Sequence, residues 1–471
     1  MRKRIFALLL VFTMIFAVVA CANDAGGGGD ATPAAEAEEG DDEPAVGNGD
    51  LEPVNLRFTG WGAPGEVAAT QAVIRAFEDA NPHVSVEYIH IPDDYETALT
   101  TMIAAGEGPD MGMLNGITTL AWAQEGQLID INSFFQADPT FSVDEIAPQA
   151  IYWLDEDTIV GINAAIVSFA LFYSREAIDE AGVDVPKSAG EAWTWDEFVH
   201  NLQLLTLDMN GNNALDPNFD PDNIMQYGIF FPIWPLVDIA LAQAGESFLN
   251  EDETAVNILG TRTEEAIQRF ADLINVYNVA PSPAEMAILP GGTVALLTRQ
   301  TAMTLDGSWC IMDLSDNEVD FGIGVMPRMW DVPATISLGE PFVIFATCEH
   351  PEYAYQLLRN FMQPEHSMGL IAGGLWKPVL REWFENEEKV DMWAGPNEIY
   401  PPEFRTALML NTLENGVPTR TYTIRNLPRI NEILGPALDA VWTGDISVAE
   451  AVASVQELMD AEVQGTFPRP E

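Results

Sequence analysis

The chain has 471 residues, with 73 acidic and only 20 basic side chains, and its formal net charge is −53 at pH 7. This negative excess argues against nucleic acid and anionic lipid as ligands, because both are bound through basic patches. It also disfavours a binding clamp for phosphate or sulfate, because Arg and Lys usually hold such groups.

The first residues have the pattern of a secretory signal. The basic stretch MRKR precedes the apolar segment IFALLLVFTMIFAVV, which is too short for a stable membrane span. The VVAC sequence at 18–21 resembles the lipobox of bacterial lipoproteins, which implies a signal peptide over 1–20 and a lipid on Cys21. The alternative is an uncleaved anchor in which Cys21 is incidental.

Residues 21–50 are predicted to be a disordered acidic tether. Residues 22–50 contain nine acidic side chains and no basic or aromatic side chain. Such a segment cannot bury enough apolar surface to fold.

The body that begins at Leu51 is too long for a single ordinary core and is expected to form two α/β domains. Apolar periodicity predicts strand and helix alternating through its first part: strand 54–59, helix 66–80, strand 84–91, helix 94–105 and a segment at 106–113 that leads into another strand. This order is typical of a layered domain with a largely parallel sheet, in which ligands lie beyond the carboxyl ends of the strands.

A second α/β stretch is predicted from about Val160 onwards. It contains a strand around 166–170, helices from Arg175, at 196–206 and at 263–277, and a segment at 294–305 that leads into the sequence AMTLDGSW. Strands follow at 321–325 and 341–346, and helices at 351–363, 402–414, 427–443 and 447–462.

The AMTLDGSW segment at 302–309 indicates a strand followed by a sharp turn. Asp306-Gly307 is expected to supply left-handed backbone at that turn. Trp309, directly after it, fits either a core position or an exposed aromatic surface for a ligand.

The body resembles the extracellular solute-binding proteins of family 1, typified by maltose-binding protein, which serve ABC importers. The similarity extends over ordered segments: GPDMGMLNG at 108–116, ALFYSREAIDEAGV at 170–183, WTWDEF at 193–198, VALLTRQTAMTLDGSW at 294–309, FGIGVMPR at 321–328, HPEYAYQLLRNFM at 350–362 and GGLWKPV at 373–379.

The resemblance implies a periplasmic-binding-protein-like α/β fold with two lobes joined by a hinge of crossing strands. The first lobe would comprise 51–162 and 322–375, and the second 163–321 and 376–471. The chain would cross near 161–168, 321–328 and 369–378. The protein would bind a sugar in the interlobe cleft, deliver it to the permease subunits of an ABC transporter and perform no catalysis.

A sugar presents apolar CH faces and a rim of hydroxyls, so its site needs flat aromatic rings beside carboxylates and amides. The candidate ligand-binding residues lie at predicted strand ends: Trp61, Glu66, Asp110, Asn115, Tyr173, Trp234, Asp306, Trp309 and Trp376. Trp61 and Trp376 fit the cleft and the core equally. Asp110 and Glu66 also fit helix or turn positions, and Tyr173 also fits packing between the lobes.

Two further features leave alternatives open. The segment 208–220 places Asp208, Asn210, Asn212 and Asp216 at spacings of a calcium-binding loop, but it lacks the usual Gly and Glu, so a hydrogen-bonded turn is favoured. Cys310 and Cys348 could pair, although free thiols are favoured. We expect no cofactor beyond a possible structural calcium ion, and a monomer.

Three rival hypotheses remain at this point. A tethered glycoside hydrolase would also present aromatic and carboxylate side chains. A surface adhesin would need no ligand cleft. A polyamine or another cationic solute would suit an acidic, aromatic cleft as well as a sugar does.

Overall fold

A computed structural model describes residues 51–289 and 291–468 of the chain. The predicted signal peptide, Cys21 and the acidic tether lie outside the described residues.

Within these ranges the chain forms thirteen strands: β1 (Val54–Gly60), β2 (Val84–His90), β3 (Met111–Met113), β4 (Ile151–Trp153), β5 (Ile159–Asn163), β6 (Val167–Ser174), β7 (Leu207–Asp208), β8 (Ile224–Phe230), β9 (Thr301–Gly307), β10 (Phe321–Gly324), β11 (Thr335–Leu338), β12 (Pro341–Ile344) and β13 (Gly416–Pro418).

The α-helices of the same ranges are α1 (Pro64–Ala80), α2 (Tyr95–Ala104), α3 (Gly116–Gln124), α4 (Asn132–Ala137), α5 (Arg175–Ala181), α6 (Trp195–Leu205), α7 (Leu236–Ala244), α8 (Arg262–Asn275), α9 (Pro283–Met286), α10 (Gly292–Leu297), α11 (Cys310–Asp316), α12 (Pro351–Met362), α13 (Met368–Ile371), α14 (Glu382–Glu385), α15 (Glu387–Ala394), α16 (Asn411–Asn415), α17 (Leu427–Trp442) and α18 (Val448–Asp460). Short 3-10 helices occupy Val143–Glu145, Pro148–Ala150, Ala189–Glu191 and Arg420–Thr423, and a π-helix occupies Phe404–Leu410.

The strands form two sheets, as the two-lobed α/β prediction requires. The first sheet has the order β2-β1-β3-β12-β5-β4, and the second has the order β13-β11-β6-β9-β8-β7 with β10 also paired to β6. In the first sheet β1 is parallel to β2 and β3, whereas β12 is antiparallel to both β3 and β5. The sheet is therefore mixed: β12, which returns from the second sheet, runs against its neighbours, and β4 is antiparallel to β5.

The predicted helices begin and end close to their predicted bounds. Helix α1 starts with Pro64, which suits the first turn because its missing N–H has no partner there anyway, and it buries Thr70, Val73, Ile74 and Phe77 on one face. Helix α6 begins with a capping box in which Thr194 and Glu197 bond each other's backbone N–H. The predicted helix at 402–414 is instead a π-helix followed by α16.

The chain passes between the sheets at three places. It leaves the first sheet after Asn163 and enters the second at Val167, within the predicted crossing at 161–168. It returns between Leu338 and Pro341. The return was predicted at 321–328, but β10 and β11 both pair with β6, which keeps 321–338 in the second sheet.

The third connection lies where the backbone of Lys377 pairs with that of Ile166 through two hydrogen bonds, of 3.0 and 3.1 Å. Side chains from Trp376 to Met409 then join a buried cluster that draws on both sheets, because it also includes Ala170, Phe172 and Phe321 of the second sheet. The π-helix at Phe404–Leu410 packs against β6 and β10, and side chains from Ile424 to Met459 join the other large cluster, which lies on the second sheet. From Phe404 onwards, the predicted second-lobe segment 376–471 therefore packs mainly against the second sheet.

Across the described ranges, no helix combines the length and the apolar composition that crossing a bilayer would require.

Candidate functional site

A cavity of about 520 Å³ lies where the two sheets face each other. First-sheet segments contribute side chains that follow β1 and β3, and second-sheet segments contribute those around β9 and β11. Six of the nine predicted ligand-binding residues line it: Trp61, Glu66, Asn115, Trp234, Trp309 and Trp376. The volume falls in the range of about 300–1,000 Å³ that is usual for small-ligand sites.

Two tryptophans form one aromatic wall of the cavity. The rings of Trp234 and Trp309 are nearly parallel, with centroids 6.4 Å apart and planes 24° from each other. Both meet Phe169 edge-on, at 5.7 and 5.2 Å, so a buried ring of β6 fixes their orientation. Trp234 leaves 58% of its surface exposed, which provides a flat apolar face in the cleft.

Asp306-Gly307 was predicted to form a sharp left-handed turn before Trp309, but the structure shows a different role for Gly307. Strand β9 continues through Asp306 and Gly307, and neither residue has a positive φ. Trp309 then precedes α11 with helical backbone angles. A Cβ on Gly307 would overlap the Trp309 ring, so the glycine is needed for close approach and not for a left-handed turn.

The other two predicted tryptophans of the cavity differ in burial. Trp61 follows β1, is half-buried and meets the Tyr95 ring edge-on at 4.8 Å. Trp376 is only 2% exposed and packs against Phe342 and Phe361, so it is chiefly a core residue that also closes the cavity floor.

Glu66 and Asn115 combine a place in the cavity with a role at a helix start. Glu66 lies in the first turn of α1, where a carboxylate interacts favourably with the helix dipole. Asn115 caps α3 by accepting the backbone N–H of Thr118 at 2.8 Å, and its amide donates to Glu96. The helix-end interpretation of Glu66 therefore does not compete with a ligand role.

Carboxyl groups crowd the cavity without a basic partner. Burial raises the pKa of Glu66 to about 8, and repulsion from Glu340 and Asp313 adds to this rise. Burial also raises the pKa of Glu340 to about 7 and raises that of Asp313. No Lys, Arg or His is among the described residues that line the cavity. At neutral pH a protonated Glu66 therefore offers both a hydrogen-bond donor and an acceptor.

Asp110 and Tyr173 do not line the cavity. Asp110 accepts the backbone N–H of Arg57, in the middle of β1, at 2.7 Å and lies at the amino end of β3. Trp61 and Asn115 instead follow the carboxyl ends of β1 and β3. Tyr173 is 3% exposed and donates to Glu403 at 3.0 Å within the core.

Asp306 does not line the cavity but contacts residues next to it. Its carboxylate accepts the backbone N–H of Gly307 at 2.8 Å and the indole N–H of Trp309. Burial raises the pKa of Asp306 to about 6, although these two hydrogen bonds oppose the rise. Asp306 is therefore a positioning residue for the Trp309 ring and not a wall of the cavity.

Among the cavity-lining residues that sequence reasoning missed, three have polar side chains: Asp313, Glu340 and Tyr422. Asp313 lies one helical turn after Trp309, and that spacing could have revealed it. Glu340 stands in the crossing between β11 and β12. The ring of Tyr422 packs so closely on Gly116 that a Cβ there would overlap it, which links a second-sheet segment to the start of α3.

The loop at 208–220 is held by its own hydrogen bonds. Asp208 accepts the backbone N–H of Asn210, Asn212 and Asp220 and the side-chain amide of Asn212, at 2.8–3.1 Å. Although burial opposes the change, these bonds lower the pKa of Asp208 to about 2. Asp216 instead bonds Asn218, and no metal-binding group of acidic, His or Cys side chains occurs in the described ranges. This geometry matches the favoured turn.

The cysteines of the described ranges, Cys310 and Cys348, are free thiols. Cys310 is buried at the start of α11, and Cys348 is half-buried beside Asp110.

Comparison with known proteins gives the family. Residues 72–394 match the model of the bacterial extracellular solute-binding proteins. A maltotriose-binding protein of Pyrococcus abyssi is 24% identical over 334 residues, which span 69% of this chain and 66% of that protein. These relatives are binding proteins, in agreement with the prediction that the chain is not an enzyme.

Solved structures share the fold. An ABC substrate-binding protein of Listeria monocytogenes in complex with cycloalternan superimposes with a TM-score of 0.75 at 23% identity, covering 87% of this chain and 99% of that one. The maltose/maltodextrin-binding domain MalE of Bdellovibrio bacteriovorus bound to maltotriose gives a TM-score of 0.66 at 17% identity, with 87% and 99% covered. The chain therefore belongs to the bacterial extracellular solute-binding proteins and has their two-lobed α/β fold.

Proposed function

We propose that this protein is the substrate-binding component of an ABC importer and binds a sugar or oligosaccharide in the cavity between its lobes. The observation that carries the proposal is the combination, in one cavity of about 520 Å³, of exposed aromatic faces and uncompensated carboxyl groups.

The two kinds of wall match the two kinds of surface on a sugar. The nearly parallel rings of Trp234 and Trp309 offer the flat apolar area on which a pyranose CH face packs. The carboxyl groups of Glu66, Asp313 and Glu340 reach the same cavity and can bond ring hydroxyls. The names of the relatives, which include maltotriose and cycloalternan as ligands, support a sugar of this kind.

Both lobes contribute to the cavity, so a ligand that contacts both favours the closed arrangement. Glu66 begins a first-lobe helix, whereas Trp309 follows a second-lobe strand. A ligand shifts the equilibrium between open and closed states only by its difference in affinity for them. We propose that sugar binding closes the lobes and so creates the surface that the permease recognises.

The proposal extends to the amino-terminal region and to the lobes. Cys21 carries a lipid that anchors a monomeric protein to the extracytoplasmic face of the membrane, and residues 21–50 act as its tether. The first lobe comprises 51–162 and, after a return crossing at 339–340, the chain up to 375, whereas the second comprises 163–338 and 376–471; the pairing of β10 and β11 with β6 supports this return point.

A melting screen of the purified protein tests the ligand class. Maltotriose, cycloalternan and other neutral oligosaccharides are compared with spermidine, which represents the cationic alternative. A ligand at about one hundred times its Kd should stabilise the folded state by about 2.7 kcal/mol. A shift with an oligosaccharide that is clearly smaller in a Trp309→Ala variant supports the proposal. A shift with spermidine alone, or with none of the sugars, contradicts it.

The same incubations separate binding from hydrolysis and from adhesion. The bound oligosaccharide should be recovered at its original length after prolonged incubation. Shortened products absent from a no-protein control would favour a glycoside hydrolase, and an adhesin would show no melting response to free sugars.

A further inference from the structure

Lys377 is a buried cation in the hinge. Its side chain is 1% exposed, and its backbone pairs with Ile166 at the crossing between the sheets. The ammonium donates to the hydroxyls of Ser168 at 3.0 Å and Ser308 at 3.2 Å. In the described part of the chain, Lys377 has no carboxylate within ion-pair distance.

Two other buried charged groups of the described residues, Glu403 and Asp208, are compensated by hydrogen bonds. Glu403 accepts from the Arg175 guanidinium at 2.8 Å and from Tyr173. Asp208 accepts four protein N–H bonds. Lys377 has only two neutral hydroxyls, and a charge buried in this way is costly unless it is paired or neutralised. Burial accordingly lowers the pKa of Lys377 to about 7.

A cavity of about 370 Å³ adjoins this lysine. Among its lining residues are Lys377, Arg381, Ser337 and Thr412, with the exposed Glu385 at its surface. It shares no lining residue with the sugar cavity. Arg381 uses its Nε atom to bond the carbonyl of Ile146 at 3.2 Å, which holds the guanidinium at this cavity.

We propose that this hinge cavity binds a small oxyanion, such as phosphate, sulfate or a carboxylate, between Lys377 and Arg381. An ammonium has three donors, and two of those of Lys377 are directed to Ser168 and Ser308, so the third is available to an anion. A guanidinium presents paired N–H groups that match an oxyanion. Ser337 lines the same cavity and can offer a further hydroxyl donor, whereas the Thr412 hydroxyl already donates to the carbonyl of Leu408 at 2.6 Å.

The overall charge of the chain does not exclude this site. The shortage of basic residues argues against an oxyanion as the principal ligand, but here one buried ammonium lacks any other counter-charge. The net negative charge of the protein lowers the local anion concentration, so binding is expected in the millimolar range. The inference does not rest on the proposed sugar function.

Equilibrium dialysis with radiolabelled sulfate tests the proposal, because sulfate does not titrate near neutral pH. The full chain is dialysed at constant ionic strength against increasing sulfate. Wild type should bind a single equivalent saturably, and binding should weaken as the pH rises through about 7 and the ammonium loses its proton. Phosphate should compete with the labelled sulfate.

Matched variants assign the binding to the hinge. Lys377→Met keeps the length of the side chain and removes the charge, and it should abolish saturable binding. Arg381→Gln should weaken sulfate binding by about tenfold, the usual effect of losing one charge-assisted hydrogen bond. This second variant tests the hinge site even if Lys377→Met does not fold. Lys187→Gln, at an exposed position outside the cavity, should bind as wild type does. Absence of saturable sulfate binding by wild type, or binding as tight as that of wild type in both hinge variants, would overturn the proposal.

Discussion

Replacing Glu66 by Gln should change how the stability of the protein depends on pH. Burial raises the pKa of Glu66 from 4.5 to about 8 in the folded protein. Between these values the folded state holds more protons than the unfolded state, so the free energy of unfolding falls as pH rises through this window. Gln has nearly the same shape and no charge, so Glu66→Gln should remove this part of the decline.

The magnitude follows from the two pKa values. The full difference corresponds to roughly 5 kcal/mol at complete ionisation. Glu66 is half-buried, so solvent screening reduces the effect to about 2 kcal/mol. For a body of this size, about 2 kcal/mol changes the melting temperature by about 2 °C.

Thermal melts from pH 5 to pH 9 measure the effect. The melting temperature of Glu66→Gln minus that of wild type should be about 2 °C larger at pH 9 than at pH 5. Glu125→Gln, at an exposed position of the first lobe, is the control and should follow wild type throughout. If the curves of wild type and Glu66→Gln run parallel over this range, Glu66 is not an uncompensated buried acid.

Three further perturbations test the cleft, the hinge and the anchor. Trp309→Ala should weaken oligosaccharide binding, measured by calorimetry, by about 1–3 kcal/mol because an aromatic face is lost. The control is Trp330→Ala, which lies outside the cavity and should leave the affinity unchanged. Equal losses of affinity in both variants would contradict a stacking role for Trp309. Gly116→Ala should displace the Tyr422 ring and favour the open state. With saturating sugar, the radius of gyration of this variant, measured by small-angle scattering, should therefore exceed that of wild type. Identical radii would argue against Tyr422 as an interlobe contact. Cys21→Ser should release the protein into the soluble fraction or leave an unprocessed precursor, and membrane retention at mature size would refute the lipid anchor.

Local pattern was enough to predict most of the secondary structure. The apolar spacing in α1 and the residues that start α5 and α6 determine where these helices lie, because burial and capping act within a few residues of chain. Aromatic residues beside glycines at strand ends likewise pointed to Trp61 and Trp309, and the structure places both in the cavity.

Prediction failed where the position of a residue along a strand decided its role. Asp110 was grouped with Asn115, but the short strand β3 lies between them and sends them to opposite edges of the sheet. Tyr173 was predicted to bind the ligand and lies on β6, as Phe169 does. It lies near the carboxyl end of this strand, however, where it donates a hydrogen bond to Glu403 in the core. Neither difference is visible without the strand bounds and pairing.

The tertiary structure alone decided which distant residues share a wall. Glu340 and Tyr422 are separated from Glu66 by hundreds of residues, and only the crossing at 339–340 and the packing of Tyr422 on Gly116 bring them to one cavity. The unusual pKa of Glu66 arises from this convergence, because burial and repulsion depend on neighbours in space. Sequence periodicity reports which face of each element is buried, whereas a site between two lobes depends on how those faces meet.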